Sequence, residues 1–132
     1  MIKMKVFKFG GASVKDAKSI RNVADIIALF KIEKLGIVVS AMGKTTNAME
    51  QVVASLMSKQ EVLFNEYVEE RRQFHLAIMN ELFQDKTNSI YAEVNNIFTH
   101  LKSRYQSSTR SNYDFEYDQI IYYSDGSVDH YS

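Results

Sequence analysis

Two adjacent glycines, Gly10 and Gly11, stand between a short alternating segment and a helix-like one, and this succession constrains the fold more than any other feature. Before them, Met4, Val6, Phe7 and Phe9 are interleaved with Lys5 and Lys8, a pattern that reads as a β-strand over 4–9. After them, Ile20, Val23, Ala24 and Ile27 recur at helical spacing, which predicts an amphipathic helix over about 15–34. Gly36 precedes Ile37-Val38-Val39, a β-branched run short enough to be a buried parallel strand over 36–40. Asn47 followed by Glu50 has the spacing of a capping box, and Met49, Val52, Val53 and Leu56 continue as a helical face. Strand, glycine turn, helix, strand, turn, helix is a βαβα unit, the start of a parallel sheet in an α/β fold.

The second half has another character. Leu63, Tyr67, Phe74, Ile78 and Leu82 mark one long helix (about 60–84), and Ile90, Val94, Ile97, Phe98, Leu101 and Tyr105 mark a second (about 88–106), capped by Thr87 or Asn88. The linker between them is short and polar, so the pair reads as a helical hairpin. Residues 106–114 read as a polar loop. Six of the eight tyrosines lie from Tyr105 to Tyr131, and residues 122–132 show no clear period.

Composition narrows the functional classes. A chain of 132 residues with 45% apolar and 24% charged residues fits one globular domain. The longest apolar run is Ile26–Phe30, whereas a membrane helix needs about 20 residues, so no membrane association is expected. No secretory signal is visible at the start, and there is no cysteine, which removes thiolate metal sites and cysteine nucleophiles. The expected compartment is the cytoplasm. Residues 1–59 hold 10 Lys/Arg against 4 Asp/Glu, and residues 60–132 hold 6 against 12. The basic half is the glycine-bearing half, which suits a polyphosphate; a difference in solvated helix faces would look the same. The overall pI is near neutral, at about 6.8, so nucleic acid is not expected.

Lys8-Phe9-Gly10-Gly11-Ala12-Ser13-Val14 carries the clearest chemistry. Paired glycines let a backbone approach a ligand. The amides of the turn, with the positive end of the following helix, form an anion site, and Lys8 and Ser13 can add a cation and a hydroxyl. Those are the parts for phosphoryl transfer, where positioning and charge stabilisation dominate. A tight turn with a solvated lysine would need the same residues. Ser40–Asn47 is a second strand-to-helix turn. Gly43-Lys44-Thr45 resembles the end of a P-loop, but the required earlier glycine is replaced by Val38. The hydroxyls of Thr45 and Thr46 at a helix start can instead receive a carboxylate, or simply cap the helix. His75, His100 and His130 share no ligand spacing, so no metal site is expected. Asp114, Glu116 and Asp118 read as a solvated acidic loop, and Glu69-Glu70-Arg71-Arg72 as a solvated helix face.

Lys8-Phe9-Gly10-Gly11-x-Ser13-Val14 together with Val38-Val39-Ser40-Ala41 leading to Thr46-Asn47 resembles the two signatures of aspartate kinases, in the amino-acid kinase family. The resemblance implies an incomplete three-layer αβα fold and transfer of a phosphoryl group from ATP to the β-carboxylate of L-aspartate. It implies that Lys8 stabilises the transferring group, that Gly10, Gly11 and Ser13 cradle the ATP phosphates, and that Thr46 and Asn47 contact aspartate. Mg²⁺ would accompany the nucleotide, and the full-length enzyme would be a homo-oligomer. The likeness extends over residues 1–121, the N-terminal portion of such a catalytic domain. Where the family has a glutamate that helps bind aspartate, this chain has Asp125, within a divergent tail (122–132) expected to be disordered. The chain alone is therefore expected to be an inactive fragment. The alternatives are a non-catalytic nucleotide- or phosphate-binding module, or another member of the same family.

Overall fold

The computed structural model describes residues 4–31 and 34–124. They fall into two compact units, divided between Lys44 and Thr45.

In the first unit, β1 (Met4–Phe9) pairs in parallel with β2 (Lys34–Val39), in a register that sets Val6 beside Gly36 and Phe9 beside Val39. Between them lie a 3₁₀ turn (Gly11–Val14) and helix α1 (Ala17–Ala28). The helix starts at Asp16, whose carboxylate accepts the Ser19 amide at 2.8 Å; such a cap satisfies an amide that the helix itself leaves unbonded. Val14, Ala17 and Val23 are buried. Phe7 meets Phe30 edge to face at 4.9 Å, so Phe30 covers part of one sheet face.

The helix expected over 15–34 ends at Ala28, with Leu29 as its cap, and Lys34 already belongs to β2. The run expected to be a buried strand is a parallel strand, but Ile37, Val38 and Val39 are 43%, 51% and 52% exposed, and Met4 and Val6 also lie open. The described sheet has only two strands. A parallel sheet buries its apolar residues only when neighbouring strands and helices cover both faces.

The second unit is helical: α2 (Thr45–Met57), α3 (Glu61–Leu82), α4 (Ser89–Ser107) and α5 (Tyr113–Ser124). Met49, Val52, Val53 and Leu56 of α2 pack with Phe64, Val68, Phe98, Leu101 and Ile120 from the other three helices. The expected hairpin of α3 and α4 is present. Glu61 is bonded by Gln106, Glu69 by Lys102, Asn95 by Arg72 and Asn80 by Tyr91, so early residues of one helix meet late residues of the other. Asn88 caps α4 by accepting the Ile90 amide at 3.0 Å.

The polar stretch read as a loop from 106 to 114 is narrower, because α4 runs to Ser107 and α5 begins at Tyr113. Nor are Asp114, Glu116 and Asp118 a solvated loop. They lie on α5, and Glu116 is fully buried against the Arg104 guanidinium at 2.9 Å. Arg71 and Arg72 are not wholly solvated either. Both are half-buried, Arg71 stacking on Phe74 and Arg72 reaching Asn95 across the hairpin. Of the tail expected to be disordered, Tyr122–Ser124 completes α5; residues 125–132, with Asp125, lie outside the described residues. No helix among the described residues is long and apolar enough to cross a membrane.

Candidate functional site

The first group of candidate residues gathers where β1 turns into the 3₁₀ helix. Lys8 is exposed near the end of β1, and Ser13 is exposed one turn on. The Ser13 amide donates to the Gly10 carbonyl at 3.0 Å. The amides ahead of such a bond have no partner within their own turn, so the Gly11 and Ala12 N–H groups are the donors this turn offers. Helix α1 is not an open anion site as expected from the sequence. The 3₁₀ turn intervenes, and Asp16 already occupies the helix start, its carboxyl held below the ordinary range by hydrogen bonds from the Ser19 side chain and amide.

The second strand-to-helix turn holds the first in place. The Ser40 amide donates to the Phe9 carbonyl at 2.9 Å, and the Gly43 amide donates to the Gly11 carbonyl at 3.1 Å. Gly43 has φ 55°, the left-handed region where glycine is favoured. A Cβ on Gly11 would lie 2.9 Å from the Gly43 carbonyl oxygen and 3.1 Å from that of Ala41, so Gly11 is required by packing. Gly10 differs. Its φ of −75° and ψ of 173° suit any residue, and a Cβ there would meet nothing within 4 Å. Beside the turn is an open cleft of about 640 Å³ whose lining includes Phe9, Val23, Ser13, Lys15, Lys18 and the acid Asp16.

The remaining candidates lie on α2. Thr46 and Asn47 are exposed in its first turn. Asn47 is therefore inside the helix, not at its cap as the Asn47–Glu50 spacing suggested. Thr45 is 2% exposed. Its hydroxyl oxygen accepts from Arg71 Nε at 3.2 Å and from the terminal guanidinium nitrogen Nη2 at 2.9 Å, so Thr45 is a structural residue. Nothing in the sequence around Arg71 signals this bond, because the partners are 26 residues apart. The Arg71 carbonyl in turn contacts His75 Nδ1 at 2.9 Å. Burial holds the His75 imidazole below its ordinary pKa, so the neutral ring is favoured. No group of three or more His, Cys, Asp or Glu among the described residues could hold a metal ion.

The sequence profile of the Amino acid kinase family matches residues 3–112. The chain is 57% identical over 42 residues to "Aspartokinase 1, chloroplastic" of Arabidopsis thaliana, covering 32% of this chain and 7% of that protein. It is 30% identical over 98 residues to the "Bifunctional aspartokinase/homoserine dehydrogenase 2, chloroplastic" of the same plant, covering 74% of this chain and 11% of that protein. The crystal structure of an aspartate kinase from Clostridium acetobutylicum superposes with a TM-score of 0.64 at 21% identity, over 93% of this chain and 27% of that one; at that identity the likeness concerns the fold. The chain thus spans about a tenth or less of the length of these curated relatives. With its glycine turn, parallel strand pair and helical hairpin, it belongs to the amino acid kinase family and is similar there to the aspartate kinases.

Proposed function

We propose that the chain carries the phosphate-binding and aspartate-contacting segments of an aspartate kinase, which makes ADP and 4-phospho-L-aspartate from ATP and L-aspartate. The observation that carries the reading is the contrast between the two glycines. Gly11 is explained by the turn packed against it, whereas among the described residues nothing lies within 4 Å of where a Cβ on Gly10 would stand. A ligand backed against that turn accounts for it.

In this reading the Gly11 and Ala12 amides and the Ser13 hydroxyl donate to phosphate oxygens, with Gly10 leaving room for them. Lys8 supplies the positive charge that stabilises the transferring phosphoryl group. Thr46 and Asn47, exposed at the start of α2, contact L-aspartate. Mg²⁺ arrives with ATP and neutralises phosphoryl charge. The enzyme would be a cytoplasmic homo-oligomer at the entry to lysine, threonine and methionine biosynthesis.

These 132 residues alone are expected to turn over little or no substrate, because the curated relatives extend far beyond the matched segments. Trapping of acyl phosphate by hydroxylamine, with ATP, Mg²⁺ and L-aspartate, tests this. Turnover near that of a full-length aspartate kinase would sink the claim of inactivity. A second reading, a non-catalytic module that keeps the phosphate site, rests on the same glycine turn; it shares the nucleotide-binding prediction and lacks the aspartate one.

A further inference from the structure

Arg71 lies outside every motif that the proposed function uses, yet it is tied to the residue next to Thr46. Its Nε and Nη2 both reach the Thr45 hydroxyl, at 3.2 and 2.9 Å. The guanidinium stacks on Phe74, 3.9 Å from the ring centroid. The next turn of α3 is anchored as well, since the His75 ring packs edge to face on both Phe74 and Phe98. Thr45 is buried and Thr46 and Asn47 are exposed, so the first turn of α2 has one hydroxyl held from below and two polar side chains turned outward.

A charged donor bonded to a buried hydroxyl contributes more than a neutral pair, and a planar guanidinium fixes its acceptor's direction better than an ammonium does. A substrate contact on a helix start is useful only if that turn is held in place, since small displacements of positioning groups lower binding and rate sharply. We infer that Arg71 is a positioning residue, which sets the first turn of α2 through the Thr45 hydroxyl and so presents Thr46 and Asn47 to the substrate. The inference rests on the reading of Thr46 and Asn47 as the aspartate contacts.

The test uses the 132-residue chain with Arg71→Leu, Arg71→Lys, Thr45→Val and Thr45→Ser. Amide hydrogen exchange is read at Met49 and Glu50, and L-aspartate and MgATP titrations are followed by NMR. Arg71→Leu and Thr45→Val are expected to speed exchange at those amides about tenfold and to weaken L-aspartate binding about tenfold, with MgATP affinity unchanged. Thr45→Ser, which keeps the hydroxyl, is expected to restore both properties, and Arg71→Lys to restore them in part. Unchanged exchange in Arg71→Leu and Thr45→Val would overturn the role of Arg71, as would an aspartate affinity within about twofold of the parent's. If the parent itself binds no L-aspartate, the reading of Thr46 and Asn47 fails, and the assignment of Arg71 as a positioning residue falls with it. The two failures are told apart by the parent titration.

Discussion

Gly10 and Gly11 are adjacent and identical, yet they face different surroundings. At Gly11 an added methyl group would press on the carbonyls of Gly43 and Ala41, so Gly11→Ala is expected to cost about 1–3 kcal/mol in urea denaturation. Gly10→Ala, at a backbone conformation alanine adopts freely, is expected to be neutral or to stabilise by about 0.4–1 kcal/mol through the unfolded chain. At Lys59 it is the backbone conformation that decides the best residue. Lys59 has φ 59°, its amide bonds the Leu56 carbonyl and the Gln60 amide bonds that of Ser55, which is the Schellman arrangement that favours glycine. Lys59→Gly should raise stability by about 1 kcal/mol, read from the same urea curves. Arg110 shows what residue-level reading misses. In sequence it is one basic residue in a polar stretch, but its guanidinium donates to the carbonyls of Leu56 and Tyr105 and lies over the Tyr105 ring, satisfying the ends of two helices. His75 gives a pH signature. Burial lowers its folded-state pKa below the unfolded value near 6.5, so the unfolded chain binds a proton more readily. The stability it contributes is whole above that value and is lost as pH falls through the depressed folded value. His75→Phe should flatten that part of the profile; an equal slope in both proteins would contradict the assignment.

Among the elements, α4 and α5 are joined by the Arg104–Glu116 pair, with Glu116 fully buried. Removing one partner leaves a buried charge without compensation, so Arg104→Met is expected to cost about 3–5 kcal/mol. Adding Glu116→Gln should recover part of that loss, and thermal melts of the single and double variants would check it. The elements legible in the sequence are those set by local pattern. The alternation of 4–9, the glycines at 10 and 11 and the apolar spacing of both hairpin helices all specify their own structure, and each is found close to its expected limits. What depends on distant partners is not legible. Asn47 and Glu50 have capping spacing, but the helix starts earlier, where the Thr45 hydroxyl bonds an arginine from another helix. Glu116 looks like one of three solvated acids until α5 folds against Arg104. The candidate site divides in the same way: its glycines, lysine and hydroxyls are proposed from motifs, whereas the packing of Gly11 and the bonding of Thr45 depend on tertiary contacts.

At the scale of the whole molecule, the first unit leaves apolar side chains open on a parallel strand pair, including Met4, Val6, Val38 and Val39. Open edges and apolar sheet faces promote association between chains. The 132-residue chain is therefore expected to self-associate in light scattering, and Val6→Thr with Val38→Thr to reduce it; a monodisperse parent would contradict this. The second unit has its own core, drawn from its four described helices. If the Gly10–Ser13 turn with Lys8 binds the phosphates of ATP, a calorimetric titration of the 132-residue chain with MgATP will register it. Saturable binding that Lys8→Ala weakens by about 1–3 kcal/mol is the predicted result, whereas no binding, or equal affinity in the parent and Lys8→Ala, would contradict the account.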